Sequence, residues 1–411
     1  MREGGLKQLL AQPGFVRLWV ADGLSNLGLF VFGLALQLLM IEVLEANQLE
    51  IGLVRSAQWL PSLLFGLMAG VIVDRVRRKH LLITVDLASA LLLLTIGTLA
   101  VLGWLTPLTL AMLVFLLGTA AVLQGGAHQS FTADLLPPGL LTAGNVKLTQ
   151  TYTIAQTMGP LVGGALVRLI GAPFTLFAYA ASSLVSAALL AGVPDAGGER
   201  RAARKSIIAD LKEGVAWIYR HPMLSPYAIT LHLWFVGNNI VGTVFVFHAT
   251  QLGLDAPAVG LTLACAGVAG FIGAALAEPL TRRFGLGIVV VSSDFVAATG
   301  WAIAALAPAT GGALYALCLA QLVYGFALGA RGPLEMSYRN AVTPSALRGR
   351  MNTTIRSINW GLIAVAAPLG GWIAFSFGDR VALWTGSVII AGCGLALALS
   401  RYRTAVMPAE T

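Results

Sequence analysis

Asp22, Asn26, Gly33 and Gln37 recur at helical spacing through an otherwise apolar stretch, so they share one face of a helix. An ionisable side chain in hydrocarbon is costly and marks a functional position by default. Asp22 is therefore the candidate for taking up and releasing a proton, since burial favours the neutral acid. The competing reading is an ion-paired or interfacial Asp about two turns into the helix. Further polar stripes follow. Arg55, Gln58, Trp59 and Ser62 form one, although an arginine at a helix end can simply reach the headgroups. His232, Asn239 and Thr243 share a face with Phe235 and Phe247, the mixture that suits an amphiphilic ligand. A solitary histidine in such a place is more often packed and hydrogen-bonded than a ligand. Gln321, Tyr324 and Arg331 make a third stripe, and Arg356, Asn359 and Trp360 a fourth. Arg331 and Arg356 could draw in an anionic substrate or serve an inner gate. Asp86, Asp294 and Glu278 are expected to pair with nearby arginines.

Two local patterns are more specific. In Gly70-Val-Ile-Val-Asp74-Arg75-Val-Arg77-Arg78-Lys79, a carboxylate follows a glycine by four positions and leads into a basic run. The basic run alone reads as a topology signal. Gly70 adds room for a neighbouring helix, and Asp74 can meet a helix N-terminus or a basic group, locking elements together on one side. The second pattern, Ala155-x-x-x-Gly159-Pro160-x-x-Gly163-Gly164, puts glycines on one helix face beside a helix-breaking proline, which suits close packing or a kink.

The elements that carry these residues follow from composition. Of 411 residues, 57% are AVILMFWYC and only 11% are charged; the mean hydropathy is +0.82. About 20 apolar residues cross a bilayer as a helix. The sequence predicts twelve spans, at 14–41, 51–73, 80–102, 107–128, 148–170, 172–193, 223–249, 258–280, 286–308, 311–332, 351–375 and 381–400. This is an all-α membrane protein, and the composition excludes a disordered chain, a soluble multidomain enzyme and, for want of strict alternation, an outer-membrane barrel. The net charge of +8 does not indicate a nucleic-acid partner, because the basic residues lie between the apolar runs rather than on one soluble face. With Met1 cytoplasmic, only Arg55, Arg168 and Arg380 of the 26 Lys and Arg fall at outward ends. The positive-inside rule thus places both termini in the cytoplasm.

The polar stretch 194–222 divides the chain into an N-terminal half, 1–193, and a C-terminal half, 223–400, followed by a tail, 401–411. Within the linker, Ser206 to Tyr219 is expected to form a short amphipathic helix. Internal repetition supports the division: Pro137, Asn145 and Gly159-Pro160 are echoed 207 to 208 residues later by Pro344, Asn352 and Ala367-Pro368-Leu-Gly370-Gly371. A weaker echo pairs the Gly70 to Asp74 segment with Gly273, Glu278, Arg282 and Arg283. Two parallel six-helix repeats bind substrate near the midplane between them. Cys265, Cys318 and Cys393 are scattered in apolar runs and read as small core residues rather than a disulfide or metal set. No secretory signal is read in Met1 to Pro13. No phosphate-binding loop, nucleophile elbow or His-Glu-x-x-His motif occurs, so ATP drive and hydrolase chemistry have no local site and no cofactor is called for.

The Gly70 to Lys79 run resembles the signature between helices 2 and 3 of the major facilitator superfamily, with Arg77 where that family often has Gly. The resemblance implies a conformational latch of Gly70, Asp74, Arg75, Arg78 and Lys79 that holds a cytoplasmic gate closed. Gly159, Pro160, Gly163 and Gly164 resemble the helix-5 motif of exporters and proton antiporters, with Ala155 standing where the fuller pattern has Gly. Leu18-Trp19, Leu60-Pro61, Leu81 to Asp86, Gln124 to Pro137, Gly214 to Pro222 and Leu347 to Arg350 are together similar to the bacterial subgroup of enterobactin-type siderophore exporters and macrolide or multidrug efflux proteins. The resemblance implies a monomeric proton antiporter of the inner membrane that exports a mid-sized amphiphilic compound, a siderophore or a drug. A lipid or lysophospholipid flippase, a metabolite importer, a divalent-metal exporter and a non-transporting sensor are the alternatives, the metal exporter disfavoured because the five histidines are dispersed.

Overall fold

The computed structural model describes residues 3–195 and 207–407; the side chains of residues 3–6, 67, 69–71, 74 and 207–211 are outside the description. Fourteen α-helices run through these residues: α1 (Glu3–Ala11), α2 (Phe15–Leu38), α3 (Gln48–Arg75), α4 (Arg78–Val101), α5 (Pro107–Leu135), α6 (Pro138–Ile170), α7 (Ala172–Ala191), α8 (Ile207–Arg220), α9 (Leu224–Gln251), α10 (Ala256–Phe284), α11 (Leu286–Ala305), α12 (Ala313–Ala341), α13 (Ser345–Phe377) and α14 (Asp379–Leu399). A π-helical turn, Leu39–Val43, prolongs α2, and a 3₁₀ turn, Arg401–Thr404, follows α14.

Eleven of the described helices are long and apolar enough to cross a membrane. The twelfth expected span corresponds to α3, whose 28 residues reach about 42 Å and which carries the residues whose side chains are outside the description, with no Asp, Glu, Lys or Arg between Arg55 and Asp74. Several helices outrun their apolar cores. α6 starts at Pro138 rather than 148, and α12 runs to Ala341 rather than 332. Hydrophobicity marks only the part of a helix that lies in hydrocarbon, whereas the helix continues through polar residues such as Asn145, Lys147 and Asn340. The amphipathic helix of the linker is present as α8. The N-terminal helix α1 was not expected from the apolar pattern, because its nine residues include no long apolar run.

Helix ends are set by local chemistry. Thr106 Oγ1 accepts from Thr109 N at 3.2 Å at the start of α5, and Asp255 Oδ1 accepts from Ala258 N at 3.1 Å at the start of α10. Gly171 and Gly378, 207 positions apart, each end one helix and open the next with φ of 85° and 94°. A side chain rarely adopts that conformation, so the two corners require glycine.

Packing groups the chain into two compact units. The first comprises Met1–Glu45 with Leu60–Arg204; the second comprises Ala46–Trp59 with Lys205–Thr411. In the first unit α4 packs on α7 and α2 lies against both α6 and α7. In the second, α10 lies along α12, α9 along α14, and α11 between α12 and α14.

The second unit has a well-defined floor. Tyr402, fully buried, stacks on Tyr227 at 5.3 Å between ring centroids and meets Tyr338 edge-on at 5.4 Å. Ile218 of α8, Leu224 of α9 and Ala405 pack into the same cluster, and Gly287 N donates to Ala405 O at 3.3 Å. The chain after α14 thereby folds back under the unit.

Candidate functional site

Asp22 lies half-buried on α2, and its Oδ1 is 3.1 Å from His128 Nε2 of α5. The side chains retain 13% and 24% of their exposure, while His128 Nε2 itself is buried. The other two polar side chains of the expected stripe bond within their own helix. Asn26 Nδ2 donates to Asp22 O at 2.9 Å and Gln37 Nε2 to Gly33 O at 3.3 Å, so both amides are spent on carbonyls of their own helix.

Asp86 corrects the sequence reading. Instead of an arginine it meets Gln124 Nε2, which donates to Oδ1 at 2.8 Å, and Ser186 Oγ, which donates to Oδ2 at 2.6 Å. The basic loop beside it is used elsewhere, because Arg78 pairs with Asp134 of α5 and Lys79 Nζ donates to Ala191 O at 2.8 Å and Val193 O at 2.6 Å, capping the end of α7. Arg75 is exposed. Gly70 and Asp74 belong to α3, and their side-chain surroundings lie outside the described residues.

The helix-5 motif resides in α6 and seats that helix on α2. Gly159, Pro160, Gly163 and Gly164 are buried. A Cβ at Gly163 would stand 3.2 Å from Val31 O and 3.3 Å from Val31 Cα, and one at Gly159 would press on Phe30. The second unit repeats this seam: Gly370, 207 residues after Gly163, faces the Ile240 backbone of α9, where a Cβ would be 2.8 Å from Cα.

In the second unit, Arg55 Nη1 donates to Gly242 O at 2.9 Å and Ser56 Oγ to Ala364 O at 2.5 Å, fixing the first turns of α3 to α9 and α13. Trp59 meets Trp360 edge-on at 6.0 Å, and Gln58 is half-buried between these anchors in sequence. Tyr324 Oη donates to Asn238 Oδ1 at 2.8 Å, and its ring lies 4.6 Å from that of Trp301. Exposed Arg356 covers the Trp360 ring at 5.3 Å, leaving its charge available. His232 bridges Tyr219 Oη at 2.8 Å and Asn359 Oδ1 at 2.6 Å, as a packed histidine does. Asn239 is buried and donates to Phe235 O at 2.8 Å, and Gln321 is buried as well, so neither offers itself to a ligand.

Arg331 is a second correction. It is not a cavity cation, since its guanidinium is buried against Asp294 of α11 and Glu335 of its own helix and lies 5.0 Å above the Trp234 ring. Asp294 accordingly pairs with an arginine of another helix rather than with its neighbouring loop. Glu278 does pair with Arg282, at 2.5 Å on an exposed helix face where the energy gained is small. Sequence reading missed His128, Asn238, Asp134 and Glu335. Glu335 carried one usable signal, its place four residues after Arg331 on a helix.

Long apolar helices in two repeat-related units, each seamed by glycine and each holding ionisable groups inside, define a multi-pass membrane transporter. The sequence profile of the transmembrane secretion effector family matches residues 8–410, and the chain belongs to that family of the major facilitator superfamily. It is 26% identical over 375 residues to the uncharacterized MFS-type transporter y4rN of Sinorhizobium fredii, covering 90% of this chain and 91% of the relative. It is 25% identical over 359 residues to the multidrug efflux pump Tap of Mycolicibacterium fortuitum, covering 82% and 83%. Among solved structures, the nucleoside transporter NupG superposes with a TM-score of 0.77 at 15% identity, covering 94% of this chain and 97% of that one. A bacterial homologue of the iron transporter ferroportin, in an inward-facing state, gives 0.75 at 16% identity over 95% and 99%. These two likenesses concern the fold. The family and its relatives are transporters rather than enzymes.

Proposed function

We propose that the protein is a secondary active exporter of a mid-sized amphiphilic compound, a drug or a siderophore, driven by proton antiport through alternating access. The observation that carries the coupling is the Asp22–His128 pair, a partly exposed carboxylate inside a spanning helix that meets an imidazole of another helix. The buried glycine face of α6 rests on the helix that holds Asp22, so a change in either helix is felt by the other. The likeness to a multidrug efflux pump over most of both chains supports export and the drug class. Exposed Arg356 and the aromatic pair Trp59 and Trp360 offer the mixed surface that an amphiphile with an acidic group would use. Proton and substrate must favour different states or compete, because equal affinity for both conformations transfers no driving force. The distribution of Lys and Arg supports an inner-membrane protein with both termini cytoplasmic and Asp74 as part of the cytoplasmic latch. We take the working form to be a monomer.

A lipid-transfer reading has one feature in its favour, an open groove of about 320 Å³ among Ala269, Ile272, Val296, Leu322, Val323 and Phe326. Its lining carries no side chain suited to a headgroup, so export of an amphiphile stands ahead.

Everted vesicles from an efflux-deficient host test the reading with ethidium as the probe. Inward pumping should collapse when the pH gradient is dissipated and should be lost in Asp22→Asn. Undiminished pH-driven pumping in that variant would assign the coupling elsewhere. The siderophore class is tested separately by mass spectrometry of low-iron culture medium with and without the gene, where disappearance of an iron chelator is the expected result.

A further inference from the structure

The sequence spacing of 207 to 208 residues relates three polar positions of the first unit to three buried ones of the second. Asp86, Gln124 and His128 correspond to Asp294, Arg331 and Glu335. In the first unit Asp86 is held by neutral donors, Gln124 and Ser186. In the second unit the equivalent Asp294 is wholly buried and faces a guanidinium, which Glu335 also contacts. Two carboxylates thus share one cation. Fully ionised, the group carries a net charge of −1 away from water, and such an excess charge is removed by binding a proton.

The surroundings do not balance it. Arg339, one turn beyond Glu335, directs Nη2 to Met336 Sδ at 2.7 Å. The other titratable side chains that face the group are Tyr227 of α9, Tyr324 of α12, Cys393 of α14 and Tyr402 beyond it, none of which is a cation; Arg339 is felt at Tyr227 but pairs with neither carboxylate. The Tyr227, Tyr338 and Tyr402 rings pack together in the floor cluster. Asp294 Oδ2 and Arg331 Nη2 are buried without a hydrogen-bond partner, so the ion pair is incompletely satisfied. Glu335 retains 8% of its exposure against 0% for Asp294, so it is the member through which a proton arrives.

We propose that Asp294, Arg331 and Glu335 form a one-proton binding site in the second unit, distinct from Asp22, and that it couples this unit to the proton gradient. A proton from water adds to one carboxyl oxygen of the pair, forming an O–H bond and taking the group from −1 to neutral. The proton belongs to the pair rather than to either residue. This rests on the proton-coupled reading given above, which it extends to a second site.

The test is infrared difference spectroscopy of the purified protein in liposomes, titrated from about pH 5 to about pH 8. The parent should show the carbonyl stretch of a protonated carboxylic acid that disappears as pH rises. Glu335→Gln leaves a neutral one-to-one pair of Asp294 with Arg331, so it should fold like the parent, lose that component and take up one proton fewer on acidification. Asp294→Asn should do the same, whereas Asp22→Asn and Asp86→Asn should retain the component. Its persistence in both Glu335→Gln and Asp294→Asn, or its absence from the parent, overturns the site. Aggregation of Glu335→Gln also overturns it, because the second negative charge would then be structural. The spectrum needs no substrate, so it is separable from transport. A Glu335-dependent band in a protein that moves no ethidium upholds the site and retires only the choice of drug as cargo.

Discussion

Asp22 and Asp86 belong to the same group of packed helices yet keep different company, one beside an imidazole and partly wet, the other closed in by an amide and a hydroxyl. A buried carboxylate with two neutral donors is a structural hub, whereas a partly exposed one facing a histidine is free to change partners. Asp22→Asn should therefore abolish pH-driven ethidium pumping while leaving the protein folded, as judged by its elution from a sizing column. Asp22 was legible because a charge interrupts an apolar stripe. Its partner was not, because His128 lies 106 positions away and no helical period connects them. The same holds for Asp294 and Arg331, whose meeting depends on how α11 packs on α12. A further residue-scale expectation concerns His221, outside the spans, whose Nδ1 accepts from Met223 N and Leu224 N at 3.2 Å each and caps the start of α9. Burial pushes its imidazole below the ordinary value of 6.5. A folded-state value below the unfolded one means stability is constant above about pH 6.5, falls below it as the unfolded ring takes up a proton that the native ring refuses, and levels off once the native ring is protonated too. Thermal unfolding in detergent should show this acid-side loss in the parent and a weaker one in His221→Asn, which keeps an acceptor but does not titrate.

Helices α10 and α12 approach so closely that their backbones touch, and the small residues along the seam are not equivalent. A Cβ at Gly329 would overlap the Gly270 backbone, whereas one at Gly332, less than a turn further along α12, would meet nothing within 4 Å. Gly329→Ala should cost about 1–3 kcal/mol by forcing the helices apart, and Gly332→Ala should be neutral or stabilising by up to about 1 kcal/mol, because alanine favours the helix. Thermal melts of the two variants side by side check both signs. The existence of the long helices could be read from apolar length, and the glycine pattern near Pro160 correctly announced close packing. Which helix that pattern meets could not be read, since a glycine face states only that something comes near. Ends were the least legible part, because Lys147 or Asn340 looks like a loop in water but extends a helix in the headgroup region.

For the whole molecule, the repeat of 207 residues is the organising fact, and it reappears in the corners at Gly171 and Gly378 and in the seams at Gly163 and Gly370. Structure is repeated without repetition of charge: the first unit places Gln124 and His128 where the second has Arg331 and Glu335. The basic run after α3 acts at this scale as well. Asp74→Asn should reduce ethidium pumping strongly with no loss of membrane insertion or of extracted yield; pumping at the parental rate would leave the run as a topology signal alone.

The segment beneath the second unit has a consequence for biosynthesis. Tyr402 and Ala405, which close the floor against Tyr227 and Gly287, are synthesised after every spanning helix of the unit. At about 5–20 residues per second, α9 is complete several seconds before its covering side chain exists. During that interval the earlier spanning helices of the unit can be inserted while its underside is still open and its aromatic lining uncovered. A message truncated at Ser400 would yield a protein that is fully threaded through the bilayer and still unfinished. Its exposed Tyr227 and Tyr338 would give membrane proteases a signal by which to tell the incomplete product from the complete one.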